Sequence, residues 1–153
     1  MKLKGKSAII TGGGSGIGLA CTKLFSNEGA HVAIFGRRQD RLNATAKEVG
    51  SQVLTVTGDL MVNNDLDNLV SKTLQTFGKI DIVVNNGGIF TGSPIHETND
   101  NDWDTIMNTN LRSAFQLTKR VLPHMIEHKA GVFVHISSIA GLIAIPGVAA
   151  YNV

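Results

Sequence analysis

Apolar residues along the chain follow two different periods, which predict two kinds of element. Short runs that are apolar at nearly every position predict buried strands, because both faces of a strand in a parallel sheet are covered. Apolar residues that recur every three or four positions predict helices that pack one face on such a sheet. Five runs of the first kind occur, at residues 7–10, 31–35, 52–57, 80–84 and 131–138.

Predicted helices occupy the intervals between these runs. The first follows the stretch TGGGSGIG and ends near Gly29, the second covers about residues 40–49, and the third ends at Gly78. A loop then precedes a long fourth helix, whose apolar positions run from Trp103 to Val121. Strands that alternate with helices in this way are parallel and are joined by right-handed crossovers. We therefore predict a doubly wound α/β fold, with helices on both faces of one parallel sheet.

Composition and charge exclude several classes of function. The chain has 153 residues, the size of one domain, of which 42% are hydrophobic and 17% are charged. The net charge of +2 is spread along the sequence, which argues against a nucleic acid or a membrane surface as partner. No apolar stretch reaches the ~20 residues of a membrane span, and none near the basic start is long enough for a signal peptide. We expect a cytoplasmic protein whose single cysteine, Cys21, is a buried and reduced thiol.

The stretch TGGGSGIG, residues 11–18, accounts for part of an excess of glycine over proline, 17 residues against 3. It stands between a predicted strand and a predicted helix, which is where glycine loops bind the pyrophosphate of a dinucleotide. Gly12, Gly16 and Gly18 can supply a tight turn, a close backbone approach and close helix packing. The helix start offers free N–H groups and the positive end of the helix dipole. The alternative is a glycine-rich turn that only reverses the chain.

Two arginines follow the second predicted strand, where folds that bind NAD commonly carry an acidic residue for the ribose 2′-hydroxyl. Arg37 and Arg38 present no carboxylate that would repel a 2′-phosphate, and a guanidinium binds such a phosphate through paired hydrogen bonds. We therefore expect NADP as the cofactor. NAD remains the alternative if both arginines are ordinary solvated charges of a loop.

Polar residues stand at the carboxyl ends of the other predicted strands as well. Besides Thr11, these residues are Asp59, Asn85 and Ser138. Doubly wound sheets bind their ligands beyond the carboxyl ends of the strands, where the strand order reverses. We therefore expect these four residues to gather at one edge of the sheet and to face a ligand.

Taken together, these residues resemble the classical short-chain dehydrogenase/reductase family. The resemblance covers the whole chain and implies a Rossmann-like sheet with strand order 3-2-1-4-5. The family commonly has N-N-A-G where this chain has NNGG, so Gly87 replaces an alanine. The motifs that match the family in order and spacing are residues 11–18, Asp59, residues 85–88, Asn110, Ser138 and Tyr151.

The resemblance also implies a reaction and a role for each residue. The reaction is hydride transfer between a nicotinamide and a carbonyl or secondary alcohol, without a metal. Tyr151 would be the general acid or base, Ser138 would orient the substrate oxygen, and the backbone of Asn110 would bind a water. Asp59 would hydrogen-bond the adenine. The residues that would contact the cofactor are Thr11, Gly12, Ser15, Gly16, Ile17, Gly18, Arg37, Arg38, Asp59, Leu60, Asn86, Gly87 and Gly88.

A family tyrosine of this kind depends on a lysine four residues later. A phenol with a pKa of about 10 is a weak base at neutral pH, and a nearby positive charge lowers that pKa. Since the chain stops at Val153, we expect residues 1–153 to be a single NAD(P)-binding Rossmann domain that is incomplete at its C-terminus and inactive by itself. The alternatives are a catalytically silent dinucleotide-binding module and a truncated product that cannot fold alone.

The resemblance has further consequences for the surface of the chain. The fifth strand would be an exposed apolar edge of the sheet. Ser137 is expected to be structural and His135 to be a core histidine. Family members commonly pair through the long fourth helix, so we expect a homodimer or homotetramer acting on a small molecule.

Overall fold

The computed structural model describes residues 1–153 and contains one parallel sheet of five strands. The strand order β3-β2-β1-β4-β5 confirms the predicted order and the doubly wound class. The order reverses between β1 and β4, so a crevice opens at the carboxyl ends of these two strands. The strands are β1 (Ser7–Thr11), β2 (His31–Gly36), β3 (Val53–Thr57), β4 (Ile82–Asn85) and β5 (Val132–His135).

Helices cover both faces of this sheet. They are α1 (Gly16–Asn27), α2 (Gln39–Val49), α3 (Asn63–Phe77), α4 (Asp100–Ile106) and α5 (Ser113–Glu127). The predicted fourth helix is therefore not uniform, since a π-helical turn at Met107–Arg112 joins α4 to α5. A π turn contains one more residue than an α turn, and apolar spacings of three and four residues do not reveal it.

Two apolar layers form the core, one on each face of the sheet. Ile9 of β1 packs in a cluster with Leu66 of α3 and Leu117 of α5. Its neighbour Ile10 points to the opposite face and belongs to a second cluster with Leu42 of α2. Consecutive residues of one strand thus fill opposite layers, which explains why the strands are apolar at nearly every position.

β5 is the exposed edge of the sheet, as predicted. It pairs only with β4, and its paired length ends opposite Asn85, so it is shorter than the predicted run 131–138. Val132 is 55% exposed, and Val134 and Ile136 are each 39% exposed. The face of β5 that carries these side chains has no helix over it.

Two predictions of burial are wrong. His135 is exposed instead of being a core histidine, because it lies on this edge strand, and its Nδ1 is 3.3 Å from Nδ2 of Asn85. Cys21 is only partly buried against the cluster on the α1 side. The buried face of α1 is centred on Gly18, Thr22 and Ser26, so Cys21 lies at its flank.

Asp81 links the amino ends of β1 and β4, away from the crevice. Its carboxylate accepts a hydrogen bond from the N–H of Ser7 at 2.8 Å and pairs with Nζ of Lys79 at 3.1 Å and of Lys6 at 3.3 Å. Burial by itself would raise the pKa of Asp81, but the Ser7 hydrogen bond and the two lysines outweigh it and lower that pKa below 3.8.

We expect the free energy of unfolding to fall on acidification as Asp81 takes up a proton. A carboxyl with a lowered folded pKa contributes its stability above its unfolded pKa, about 3.9, and loses it as the pH falls through the folded pKa. Asp81→Asn should lower the free energy of unfolding by about 1–3 kcal/mol at pH 7 and flatten its decline in acid. Urea unfolding at several pH values measures this. Asp104→Asn, at an exposed position of α4, is the control, and an equal loss in both variants would contradict the prediction.

Candidate functional site

Four polar residues predicted to meet at one edge of the sheet do lie at the carboxyl ends of its strands. Thr11 and Asn85 are the last residues of β1 and β4, Asp59 follows β3 by two residues, and Ser138 follows β5 by three. Two cavities open at this edge. One, of about 380 Å³, lies beyond β2 and β3 and is called the β2-side cavity. The other, of about 660 Å³, lies beyond β4 and β5 and is called the β5-side cavity.

The loop after β4 separates and borders both cavities. Asn86, Gly87, Gly88 and Ile89 line the β2-side cavity and the β5-side cavity alike. A molecule that extends from one cavity into the other must therefore pass along residues 86–89.

Thr11 holds this loop over the end of β1. Its hydroxyl accepts hydrogen bonds from the N–H groups of Asn86 at 3.0 Å and Gly87 at 2.8 Å, and donates to the carbonyl of Val84 at 3.4 Å. The Asn86 side-chain amide donates in turn to the Thr11 carbonyl at 2.8 Å. The buried Thr11 side chain is therefore fully engaged within the protein.

The glycine loop brings the start of α1 against this same region. Gly12 has a φ of 68°, the left-handed conformation of a tight turn. A Cβ at Gly18 would overlap the carbonyl oxygen of Gly12 and lie 2.6 Å from Nδ2 of Asn86. The first turn of α1 therefore packs directly on the backbone of the glycine loop at Gly12 and on the side chain of Asn86.

The first turn of α1 keeps N–H groups free for an anion. Ser15 is the residue before the helix, and its side chain makes no capping hydrogen bond. Its hydroxyl instead accepts a hydrogen bond from Nη2 of Arg38 at 3.3 Å. Free N–H groups and the positive end of the helix dipole together form an anion-binding geometry.

The β2-side cavity is rich in positive charge. Arg37, Arg38 and Arg41 all line it, with Asp59 as the one acidic residue. Sequence reasoning missed Arg41, which lies in the first turn of α2, whereas Arg38 precedes that helix with an extended backbone. Arginine guanidinium groups arranged in this way suit a phosphate.

Asp59 and Leu60 form the wall of the β2-side cavity after β3. The Asp59 carboxylate accepts a hydrogen bond from the N–H of Met61 at 2.9 Å, and its own N–H donates to Asp65 at 2.8 Å. A Cβ at Gly87 would lie 2.7 Å from a methyl carbon of Leu60. Leu60 thus occupies the space that the family's usual alanine would need.

The β5-side cavity contains the three residues for which the family resemblance implies catalysis, Asn110, Ser138 and Tyr151. Ser138 precedes a 3₁₀ turn, and its hydroxyl accepts a hydrogen bond from the N–H of Ala140 at 3.2 Å. Tyr151 lies in a second 3₁₀ turn, Ala149–Asn152. Half of the lining residues are hydrophobic, and no Lys, Arg, Asp or Glu is among them. Ser138 and Tyr151 therefore line a largely apolar cavity.

Asn110 braces the loop after β4 from the π-helical turn. Its Oδ1 accepts a hydrogen bond from the N–H of Ile89 at 2.8 Å, and its Nδ2 donates to the Ile89 carbonyl at 2.9 Å. Sequence reasoning assigned the backbone of Asn110 a role and missed this use of its side chain. The pairing joins residues 21 positions apart, so no local pattern indicates it.

Comparisons with known proteins show which family this chain resembles. A family model described as short chain dehydrogenase matches residues 6–153. A 3-oxoacyl-[acyl-carrier-protein] reductase, FabG, of Thermotoga maritima is 37% identical over 154 residues, which cover 96% of this chain and 61% of the relative. Dehydrogenase/reductase SDR family member 4 of Caenorhabditis elegans is 36% identical over 157 residues, 99% of this chain and 60% of the relative. The chain thus spans about three-fifths of the length of these relatives.

The fold is also similar to that of solved structures. A short chain dehydrogenase from Bacillus anthracis superposes with a TM-score of 0.93 at 30% identity, over 98% of this chain and 64% of that one. None of the helices combines the length and apolarity needed to cross a membrane. No group of three or more His, Cys, Asp or Glu side chains is arranged to hold a metal ion.

Proposed function

The chain belongs to the short-chain dehydrogenase family, and from this premise we propose that it binds NADP and serves hydride transfer between the nicotinamide and a carbonyl or secondary alcohol. One observation carries the proposal: the arginine-lined β2-side cavity and the β5-side cavity of Ser138 and Tyr151 share residues 86–89 as a common wall. A dinucleotide has two halves with different chemistry, and two adjoining cavities with matching chemistry suit it.

We infer that the adenine half occupies the β2-side cavity. The free N–H groups at the start of α1 suit the pyrophosphate, with Ser15, Gly16, Ile17 and Gly18 beside it. Asp59 and Leu60 border the space for the adenine. The chain's own residues in the shared wall, Asn86, Gly87 and Gly88, then lie along the cofactor with Gly12 and the Thr11 backbone beneath them.

A preference for NADP over NAD is proposed from the arginines. Arg37→Gln combined with Arg38→Gln should raise the dissociation constant for NADP about 10- to 100-fold, since hydrogen bonds to charged groups contribute about 1.5–3 kcal/mol. The constant for NAD should stay within about twofold, because NAD lacks the 2′-phosphate. Isothermal titration calorimetry on the 153-residue chain measures both constants. Arg112→Gln, an exposed residue outside both cavities, is the control. Tighter binding of NAD by the unsubstituted chain would sink the assignment.

The chemistry proposed for the β5-side cavity concerns the substrate oxygen. NADPH, when bound, supplies the hydride, and negative charge then develops on that oxygen. Tyr151 is proposed to donate a proton to it and Ser138 to hold it by a hydrogen bond, since both residues line this cavity. The proposed substrate is a small carbonyl compound or a secondary alcohol.

A second candidate function is dinucleotide binding without turnover. His135 and Tyr151 are the titratable side chains that line the β5-side cavity, and no Lys or Arg is among its lining residues. NADPH oxidation with a simple ketone, followed by absorbance, separates the two functions. Calorimetric binding of NADPH without turnover by the 153-residue chain supports the second, and turnover by that chain excludes it.

Pairing of two copies through α5 is proposed as well. Phe115, Leu122 and Ile126 of α5 are exposed, and they lie on the side of the helix opposite the buried Leu117 and Val121. An exposed apolar stripe of this kind marks an interaction surface. Sedimentation velocity should give a dimer or tetramer that Phe115→Glu dissociates, whereas a monomer at micromolar concentration would contradict the proposal.

A further inference from the structure

An exposed aromatic residue in the loop after β4 lies against Tyr151. The ring centroids of Phe90 and Tyr151 are 4.9 Å apart and their planes meet at 83°, which is the edge-to-face geometry that aromatic pairs favour. Phe90 is 63% exposed, while Tyr151 is partly buried. Both residues line the β5-side cavity. The motifs of the sequence and the proposed chemistry leave Phe90 without a role.

The backbone on either side of Phe90 is fixed. Ile89 donates a hydrogen bond to Oδ1 of Asn110 at 2.8 Å and accepts one from its Nδ2 at 2.9 Å. Further along the loop, the carbonyl of Ser93 accepts a hydrogen bond from the N–H of Ala149 at 3.2 Å, which ties the loop to the segment of Tyr151. Phe90 therefore projects from a braced stretch of chain and not from a freely moving tip.

The segment that carries Tyr151 is also held by an asparagine side chain that pairs with a backbone amide. Asn152 donates from Nδ2 to the carbonyl of Ile145 at 2.9 Å and accepts from the Ile145 N–H at 3.3 Å. This paired arrangement repeats that of Asn110 with Ile89. The Tyr151 hydroxyl, by contrast, makes no hydrogen bond within the chain, so packing alone orients the ring.

We propose that Phe90 is a positioning residue that holds the Tyr151 ring with its hydroxyl directed into the β5-side cavity. The braced backbone fixes both rings, and their edge-to-face contact restricts rotation of the tyrosine side chain. Its importance for turnover rests on the proposed role of Tyr151 as proton donor, whereas the contact itself does not depend on that role.

The contact can be tested directly because Tyr151 is the only tyrosine of the chain. Selective ¹³C labelling of tyrosine gives one set of ring signals in the 153-residue chain. In the unsubstituted chain these signals should be displaced from those of free tyrosine by the ring current of Phe90. Phe90→Leu should remove the ring-current shift while keeping apolar bulk, and Phe90→Ala should move the signals close to free tyrosine.

Chemical reactivity gives a second readout of the same contact. Nitration of Tyr151 by tetranitromethane should become roughly two- to twelvefold faster in Phe90→Ala, the range that corresponds to losing one aromatic pair. Leu24→Ala is the control, because Leu24 is 58% exposed and lies on α1 outside both cavities. Unshifted ring signals in the unsubstituted chain, or equal nitration rates in the two alanine variants, would overturn the contact.

The positioning role needs one kinetic readout. In a form of the protein that reduces a ketone, Phe90→Ala should lower kcat without changing the dissociation constant for NADPH, and Phe90→Leu should restore part of the loss. An unchanged kcat in Phe90→Ala, together with a lost ring-current shift, would overturn the positioning role. Absence of turnover in every form would overturn the proposed reaction instead, and the ring signals would still decide whether the contact exists.

Discussion

Replacing Tyr151 by phenylalanine should lower the rate of carbonyl reduction about 10²- to 10⁴-fold, the usual contribution of general acid catalysis. The substitution removes the hydroxyl and keeps the ring, so the edge-to-face contact with Phe90 is preserved. The substrate oxygen then receives no proton as negative charge develops on it. Binding of NADPH should stay within about twofold, because its adenine half is proposed to bind in the β2-side cavity.

Two measurements separate these effects. The loss of NADPH absorbance gives kcat in a form of the protein that turns over, and calorimetry gives the dissociation constant for NADPH. Ser138→Ala should also lower kcat, while Ser71→Ala, at an exposed position of α3 outside both cavities, is the control and should leave it nearly unchanged. Full activity in Tyr151→Phe would remove Tyr151 from the mechanism.

Adding one methyl group at Gly18 should have the largest effect on stability. In Gly18→Ala the new Cβ would overlap the carbonyl of Gly12 and crowd Nδ2 of Asn86. The carbonyl is backbone and cannot swing aside, and the Asn86 amide is already bonded to Thr11 at 2.8 Å. We expect the free energy of unfolding to fall by about 3 kcal/mol, the upper part of the range for overpacked positions.

The same variant should also weaken dinucleotide binding, because the start of α1 must move away from the loop. Gly36→Ala is the control for stability alone: Gly36 lines the β2-side cavity, and a methyl group added there would find its nearest atom, Cδ2 of Leu42, 3.9 Å away. Guanidinium unfolding gives both stabilities. Equal unfolding midpoints for Gly18→Ala and Gly36→Ala would contradict the close packing of α1 on the glycine loop.

The five strands could be predicted from the sequence, because a strand covered on both faces leaves an unmistakable apolar run. Their ends could not, since pairing stops where the neighbouring strand stops: β5 ends opposite Asn85, well before the apolar run does. His135 shows the same limit. Its apolar neighbours indicated a core position, but exposure depends on whether another strand or helix lies alongside.

The types of the site residues and their positions at strand ends could also be predicted from the sequence, since the carboxyl ends of parallel strands lie at the same edge of the sheet. The bonds that hold the site together were not. Thr11 and Asn86 are 75 positions apart, and the amide clamp of Asn152 on Ile145 leaves no periodic signal in the sequence. Arg41 is brought to the β2-side cavity by the start of α2 beyond the end of β2, and the role proposed for Phe90 depends on its contact with Tyr151.

The π-helical turn at Met107–Arg112 makes the number of residues, and not only their identity, matter near Asn110. Each residue of an α-helix advances its neighbours by about 100° around the axis, so deleting one residue from this turn would rotate α4 relative to α5 by that angle. Either Ile106 would leave the core or Asn110 would turn away from Ile89. Most surface loops tolerate the deletion of one residue. Here the deletion would change the orientation of the π-helical turn relative to residues 86–89, the wall shared by the two cavities.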